Sequence, residues 1–449
     1  MDEIFNPGCE YDDVSTITTK TFLCKNSSFQ RGQDKYTIEL PAQETWIDFS
    51  KSFLSIKFSV RKLNDEGSLV ALTDDESKTI SIINSIGKTL VKSLDVSCQN
   101  QTLVRHSLLD YRSYIHLALT ENDTSLEWAQ CSLTFMDKHG QFDTLNNGNT
   151  GWDRRSSYIN KSKMVHTIAK LECFPFNLNH PLPPGIDFNF DFYRNTDAFC
   201  ILGETQSTTA DGQTKTIIPQ LVIEGFSLKV DCVKPNSLAR EQAFKAFSNK
   251  NYAKYPFPQV LLEHYPIAGG QQEYRIDFNR NRAVQPSLII FGLVSESCFF
   301  GDKKLNPFAF RHFDITNIQV KVGNINVYED GLECDFRKGD YLEPYFMLMK
   351  ELGFLDSQSG LTINRNTYDQ DYTLFAANIA NCIDGEEKSI TNEKGDANQI
   401  NIILKFKEDV GQNLRLIIYG IYENMCTIGL FDESGQRNSR KIVKLKHLL

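Results

Sequence analysis

The feature that most restricts the fold of this 449-residue chain is an ordered set of segments that occurs twice. Each half opens with a stretch that alternates apolar and polar residues, 35–40 in the first half and 273–278 in the second. Alternation at a period of two places the apolar side chains on one face, as a half-buried strand requires. A longer apolar run follows in both halves, at 53–60 and 288–294, and predicts a more deeply buried strand.

The order continues with a third pair of strand-like segments, 90–98 and 318–327, after which both halves change to helical spacing. The apolar positions of the two helices are Leu108, Tyr111, Ile115 and Leu119 in the first half, and Leu342, Tyr345, Met349 and Leu352 in the second. For the second helix we expect Asp340 to cap the N-terminus, with Glu343 three residues on, and Gly353 to supply a left-handed stop.

Three more strand signals close each half, so that seven elements match in order. They lie at 167–174, 186–193 and 221–230 in the first half, and at 372–379, 400–406 and 414–422 in the second. The first half also carries two insertions, 120–163 and 203–216, which are rich in Asn, Asp, Gly, Thr and Ser and therefore predict exposed loops.

Two long runs of short strands, each with one interposed helix, favour an all-β fold of two fused eight-stranded jelly rolls, a double jelly roll with short interposed helices. Helical spacing after Pro235 predicts a helix that connects the two halves. The predicted organisation is an N-terminal arm at 1–29, a first jelly roll at 30–234, a connecting helix at 235–250, a second jelly roll at 251–431 and a basic C-terminal tail at 432–449.

Charge and cysteine content restrict the function classes. The formal net charge is −9 and the pI is about 5.5, so the average surface repels phosphates and general nucleic-acid binding is disfavoured. The eleven cysteines form no CxxC pair, and we expect free, mostly buried thiols. The N-terminus lacks the basic and apolar regions of a signal peptide, which predicts synthesis in a reducing compartment inside the cell rather than secretion.

Candidate catalytic and metal-binding groups are weak, and we predict no enzyme activity, cofactor or metal. The eight histidines include no pair at metal-binding spacing. Asp187 and Asp191 share one face of a strand whose other face is apolar, and we interpret them as solvated acids rather than a glycosidase pair. A second acidic group lacks the glycine and terminal glutamate of a calcium loop, and we expect exposed turns at Asp369, Asp371, Asp384, Glu386 and Glu387.

The C-terminal tail is the stretch whose charge opposes that of the rest of the chain. Its basic residues are Arg437, Arg440, Lys441, Lys444 and Lys446. They are candidates for a contact with DNA, a membrane or a neighbouring subunit. The alternative is a solvated, disordered chain end.

Several ordered segments resemble the major capsid protein of Polinton (Maverick) elements and adintoviruses. They are Ala253–Phe257, Asn306–Phe313 and Asn364–Ala376, together with Arg154–Tyr158 leading into Lys170–Phe176, and the closing Leu416–Asn424. The resemblance runs from about residue 30 to residue 430. It implies a double jelly-roll protomer that forms pseudo-hexameric homotrimers, and an icosahedral capsid around double-stranded DNA. It also implies partnership with penton and minor capsid proteins, and a place in the virion.

Two other functions compete with a capsid role. A carbohydrate-binding or carbohydrate-cleaving β-sandwich protein requires an aromatic groove with paired acids, and Trp46, Trp128 and Trp152 form no obvious platform in the sequence. A viral penton or spike protein usually combines one jelly roll with a projecting domain. In this chain, the two predicted jelly rolls occupy nearly the whole length.

Overall fold

In the computed structural model, the residues described below are 14–25, 32–64, 66–99, 101–120, 128–146, 148–208, 214–217, 219–248, 253–280, 282, 284–356, 363–379, 399–431 and 437–445. Strands dominate these residues. Across this part of the chain, no helix has the length and apolar character needed to cross a membrane.

The strands of the first half are β1 Val14–Leu23, β2 Lys35–Leu40, β3 Trp46–Leu63, β4 Leu69–Val70, β5 Ser81–Ile82, β6 Val91–Cys98, β7 Gln101–His106, β8 Val165–Ala169, β9 Phe188–Arg194, β10 Ile201–Leu202, β11 Thr205–Thr208, β12 Thr214–Ile217 and β13 Pro219–Pro235. Those of the second half are β14 Ala253–Ile267, β15 Glu273–Phe278, β16 Leu288–Ser295, β17 Ile315–Val322, β18 Ile325–Asn326, β19 Leu332–Glu333, β20 Phe375–Asn378, β21 Ile400–Phe406, β22 Leu414–Phe431 and β23 Arg437–Leu445.

The α-helices are short and connect the strands. They are α1 Asp74–Ser77, α2 Ile86–Thr89, α3 Leu109–Thr120, α4 Thr150–Ile159, α5 Asp197–Cys200, α6 Ser237–Ser248, α7 Glu296–Phe300 and α8 Leu342–Glu351. Single 3₁₀ turns lie at Gln130–Ser132, Asn160–Ser162, Phe336–Lys338 and Phe354–Asp356.

The first half is a jelly roll of two antiparallel sheets. One sheet has the order β1-β13-β3, with β4 and β8 both paired to β3, and the facing sheet has the order β2-β9-β6-β7. Strands distant in sequence are neighbours in both sheets, as in β2 beside β9, because the chain wraps around the sandwich. This wrapped order defines the jelly roll.

The second half repeats this topology strand for strand. Its first sheet has the order β14-β22-β16-β20 and its second has the order β15-β21-β17, continued by β18 and β19. Seven strands of the second half have a counterpart in the first: β14 corresponds to β1, β15 to β2, β16 to β3, β17 to β6, β20 to β8, β21 to β9 and β22 to β13. The predicted double jelly roll is confirmed.

Two strands lie in the ranges predicted as the N-terminal arm and the basic C-terminal tail. Strand β1 falls in the predicted arm and pairs with β13 from Val14–Pro235 to Leu23–Ser227. Strand β23 falls in the predicted tail and pairs with the last part of β22, with Cys426 opposite Leu445. Both segments extend a sheet. The predicted connecting region contains α6, as expected from its helical spacing.

Alternation along β9 explains the core of the first roll. Phe188, Phe190 and Phe192 point inward and are buried, while Asn189 and Asp191 on the opposite face are half-buried. The ring of Phe49 on β3 meets the Phe190 ring edge-on at 5.9 Å between centroids. The period-two pattern predicted this apolar face correctly.

The predicted N-cap of α8 is wrong. Asp340 forms a two-way backbone bridge with Asp335, with N–O distances of 2.7 and 3.0 Å, which holds it one residue before the cap. Tyr341 occupies the cap position and its side chain makes no capping hydrogen bond. The C-terminal stop is as predicted, since Gly353 has a φ of +75° and its N–H donates to the Lys350 carbonyl.

The prediction of exposed loops at 120–163 is also wrong for much of that insertion. Trp152 and Arg155 on α4 are completely buried, and so is Phe142. Polar composition misleads here because the Asn and Asp side chains face one another in the interior rather than water. The second insertion forms the hairpin β11–β12.

Truncation of a central core ring tests the packing. We expect Phe190→Ala to lower the free energy of unfolding by about 3–5 kcal/mol, because the ring is fully buried among other phenylalanines and the cavity cannot close. Phe300→Ala, at an exposed ring, is the control and should change it much less. Urea denaturation followed by tryptophan fluorescence measures both, and equal losses would contradict this account of the core.

Candidate functional site

The two rolls meet across helix α3 of the first roll. Ten of its twelve residues are buried. Tyr114 stacks on Phe308 of the second roll, with 4.2 Å between ring centroids, and the Tyr111 hydroxyl donates to the Pro307 carbonyl at 2.9 Å. The Tyr111 ring also contacts Phe310 edge-on. These contacts are aromatic and buried, so they stabilise the two rolls as one unit.

A buried polar cluster lies beside these rings and crosses from one roll to the other. Arg155 is inaccessible to solvent, and its guanidinium pairs with Asp137 at 2.6 Å while Nε donates to the Ile82 carbonyl at 2.8 Å. The second oxygen of Asp137 accepts a hydrogen bond from the amide of Asn306 in the second roll at 2.9 Å. Asn149 donates to Asp137 as well. Because every partner is buried, removal of one would leave an uncompensated charge.

A second ion-pair group extends the cluster toward the surface. Arg311 of the second roll pairs with Asp143 of the first at 2.5 Å and with Asp371 of its own roll at 2.7 Å. Burial alone would lower the pKa of Arg311, but the charges of Asp371 and Asp143 outweigh it and raise the pKa. Asp143 also accepts from the backbone N–H of Asn306 at 2.7 Å. We call these two groups, Asp137, Asp143, Asn149, Arg155, Asn306, Arg311 and Asp371, the inter-roll joint.

The local sequence of the insertion positions the first-roll half of the joint. The Asn149 side chain caps α4 by accepting from the Trp152 N–H. A Cβ at position 151 would lie 2.3 Å from the Met136 carbonyl oxygen, so glycine is required for the helix to approach that close. The helix then carries Arg155 into the interior, where it reaches Asp137.

A third set of contacts holds the first strand of the second roll. Arg112 on α3 donates to the Val260 carbonyl on β14 at 3.2 Å and to the Glu172 carbonyl. The Tyr255 hydroxyl on β14 donates to the Pro181 carbonyl at 3.1 Å. The two rolls are therefore also joined by hydrogen bonds from side chains of one roll to backbone carbonyls of the other.

Two buried titratable groups flank α3. His106 Nε2 lies 3.0 Å from the Phe174 carbonyl oxygen, and complete burial together with the charge of Arg112 lowers the His106 pKa to about 3. Burial raises the pKa of Asp110 to about 6, although its carboxylate accepts from Asn195 at 2.8 Å.

The structure places the other predicted acids in different surroundings. Asp191 pairs with Lys35 at 3.0 Å and accepts from the Thr37 hydroxyl at 2.6 Å. Asp187 lines an open polar hollow together with Glu39. Among the residues that the structure describes, no group of three His, Cys, Asp or Glu side chains is arranged to hold a metal ion.

The prediction of an exposed turn at Asp371 is wrong. Its side chain is buried in the joint, where it pairs with Arg311, and its φ is +69°. Asp369 is half-buried beside it. Three of the predicted acids lie outside the described residues: Asp384, Glu386 and Glu387.

For the basic tail residues, the structure gives the position of the backbone. Arg437 pairs with Phe431 and Lys444 with Thr427 in the β22–β23 ladder, and Arg440 and Lys441 lie between them. Lys446 lies outside the described residues. The nine described cysteines are free, and eight of them are buried.

The inter-roll joint was not predicted from the sequence. Its signal was present in the segments that carry the resemblance, since Arg155, Asn306, Arg311 and Asp371 all belong to them. No spacing rule links positions 155 and 306, so the sequence could indicate that these residues matter without indicating that they meet.

Loss of the central guanidinium tests the joint. We expect Arg155→Met to lower the free energy of unfolding by about 3–5 kcal/mol, because Asp137 would stay buried without its counter-ion. Lys78→Met, which breaks an exposed pair with Asp75, is the matched control and should leave stability unchanged. Urea denaturation measures both, and a stable Arg155→Met protein would show that the pair is dispensable.

The lowered pKa of His106 predicts how the stability of the fold changes with pH. A histidine whose pKa is lowered by folding contributes stability that is present above about pH 6.5 and is lost as the pH falls toward 3. Asp110 has a raised pKa, so it stabilises the fold as the pH falls from about 6 to about 4, which opposes the effect of His106. The contribution of His106 is therefore measured by comparing variants. We expect His106→Gln to reduce the loss of melting temperature between pH 6.5 and 4.5, and exposed His139→Gln to leave it unchanged. Equal slopes in all three proteins would contradict this role.

Comparison with known proteins shows the fold. No family model and no curated protein sequence matches the chain. Among solved structures, a chain of the Sputnik virophage is similar with a TM-score of 0.63 and 10% identity, covering 96% of this chain and 89% of that one.

Two structures named as major capsid proteins are also similar. That of mavirus has a TM-score of 0.53 and 12% identity, covering 98% of this chain and 91% of that one. That of Faustovirus has a TM-score of 0.51 and 8% identity, covering 92% and 90%. At these identities the likeness establishes a shared architecture: the chain has the double jelly-roll fold found in these viral major capsid proteins.

Proposed function

We propose that this protein is the major capsid protein of an icosahedral virus or virus-like element with a double-stranded DNA genome. The observation that carries the proposal is that two topologically equal rolls are fused through a buried joint into one block. Two equal units in one chain let three chains present six similar units, which tile a hexagonal lattice. Likeness over nearly the whole length to the mavirus and Faustovirus capsid proteins supports the same role.

The finer parts of the proposal rest on the sequence. The ordered segments from about residue 30 to residue 430 favour the Polinton, Maverick or adintovirus lineage. The proposed partners are further copies of the chain, first in a homotrimer and then in the lattice, together with penton and minor capsid proteins. The proposed location is the virion.

A weak contact with packaged DNA through the basic tail belongs to the same proposal. Arg437, Arg440, Lys441 and Lys444 lie on β23, which pairs with the last part of β22. A few positive charges give a modest affinity that salt weakens, which suits a packaging surface better than a specific site.

A structural role without catalysis fits the surroundings of the candidate acids. Asp191 is engaged in the β2–β9 ladder, and Asp371 belongs to the joint. Asp191 accepts a hydrogen bond from Thr37, and Asp371 forms an ion pair with Arg311. This favours the capsid role over a carbohydrate-cleaving sandwich, and the length spent on two rolls favours it over a penton or spike.

The proposal predicts the assembly of the purified full-length chain. We expect light scattering to give a species of three times the chain mass of 51.3 kDa, and negative-stain microscopy to show hexagonal outlines or closed shells. The physical reason is that a lattice subunit associates through large, obligate contacts. A protein that stays monomeric at high concentration and binds glycans would overturn the capsid proposal and support the carbohydrate-binding alternative.

A further inference from the structure

Three basic side chains lie together on the outer face of one sheet of the first roll. Lys57 on β3 is opposite His166 on β8, and Lys229 on β13 is opposite Phe53 on β3. The alternating burial along these strands puts Lys57, His166 and Lys229 on the side that faces away from the core. We call these three side chains the cationic cluster.

Neighbouring groups hold two members of the cluster in place. The Ser55 hydroxyl lies 2.8 Å from Nε2 of His166, and Ser55 is itself buried, so the imidazole ring is fixed against the sheet. The ammonium group of Lys229 lies 5.8 Å from the centre of the Phe53 ring, a distance at which an aromatic face attracts a cation. The positions of these charges are therefore set by the strands that carry them.

The cluster has no acidic partner in the part of the chain that the structure describes. Two outward carboxylates of the same sheet are engaged elsewhere, Glu224 with Arg61 at 3.2 Å and Asp231 with the Thr19 hydroxyl at 2.6 Å. Neither lysine of the cluster forms an ion pair with a described residue. The whole chain has a net charge of −9, so the sign of this surface is opposite to the average. A positive surface without its own counter-charge attracts anions.

The members of the cluster also repel one another. Desolvation against the sheet lowers the pKa of His166, and the positive charges of Lys57 and Lys229 lower it further. A 3₁₀ turn and α2 also pack against β8, but their titratable groups, Cys131 and Lys88, do not contribute to this shift. A bound anion would offset the repulsion. Anion binding and protonation of the ring therefore favour each other.

We propose that Lys57, His166 and Lys229 form a binding site for an oxyanion, a phosphate or sulfate group. Ammonium groups and a protonated imidazole are charged donors to such oxygens. Ser55 engages Nε2 of His166, which leaves Nδ1 as the ring donor. The group can belong to a free anion or to a nucleic-acid backbone, because both present the same oxygens. The site is distinct from the basic tail, and it rests on this surface rather than on the proposed function.

Sulfate tests the site in the purified full-length chain, because its charge stays constant across the neutral pH range. We expect Lys57→Gln and Lys229→Gln each to weaken sulfate binding about threefold in calorimetric titrations, the effect of losing one exposed charge interaction. Lys254→Gln is the control, since Lys254 is exposed on β14 and loses the same charge. It should bind sulfate like the unaltered protein. No sulfate binding by the unaltered protein, or equal binding by all four proteins, would overturn the proposal.

The pH dependence of sulfate binding tests the part of His166. Because binding favours the protonated ring, the affinity for sulfate should rise as the pH falls below about 6.5. His166→Gln should remove most of this rise, and exposed His139→Gln should leave it unchanged. An affinity that rises equally in all three proteins would show that His166 is not part of the site.

A short DNA duplex distinguishes the two sources of the group. If Lys57→Gln and Lys229→Gln weaken binding of the duplex in the same measure as binding of sulfate, the site takes the phosphates of a nucleic-acid backbone. If they weaken sulfate binding alone, the ligand is a free anion. Both results support the site, and both are independent of whether the chain assembles.

Discussion

The salt bridge between Arg155 and Asp137 is the interaction on which the relation of the two rolls depends. Burial of both charges costs several kcal/mol per ion unless each is fully paired, so the surrounding chain must deliver partners to every donor and acceptor. The Ile82 carbonyl, the Asn149 amide and the Asn306 amide do so. Because Asn306 belongs to the second roll, satisfying this pair requires the two rolls to be in register. A misaligned pair of rolls would leave a charge unsatisfied in the interior.

The aromatic contacts beside the joint have a different role. Tyr111 and Tyr114 bring a large apolar area to the second roll, which favours association but tolerates sliding. Hydrogen bonds and ion pairs are directional, so they select one geometry from those that the rings allow. For the capsid subunit that we propose, a rigid relation between the two rolls is the property that matters. The insertion of the first roll supplies that rigidity through Asp137, Asp143 and Arg155.

The sequence by itself determined the strands, their faces and the two-fold order of the elements. Alternation at Phe188, Phe190 and Phe192 depends on local geometry, and so does the glycine stop at Gly353. The tertiary structure decided which polar residues are buried. Asp371 and the Asn- and Asp-rich insertion look like exposed turns in sequence, because a polar side chain is buried only when a distant partner neutralises it. Asp340 failed as a cap for a related reason, since its backbone was already paired with Asp335. Positions 137 and 306 meet across 169 residues, and no local pattern encodes a contact of that range.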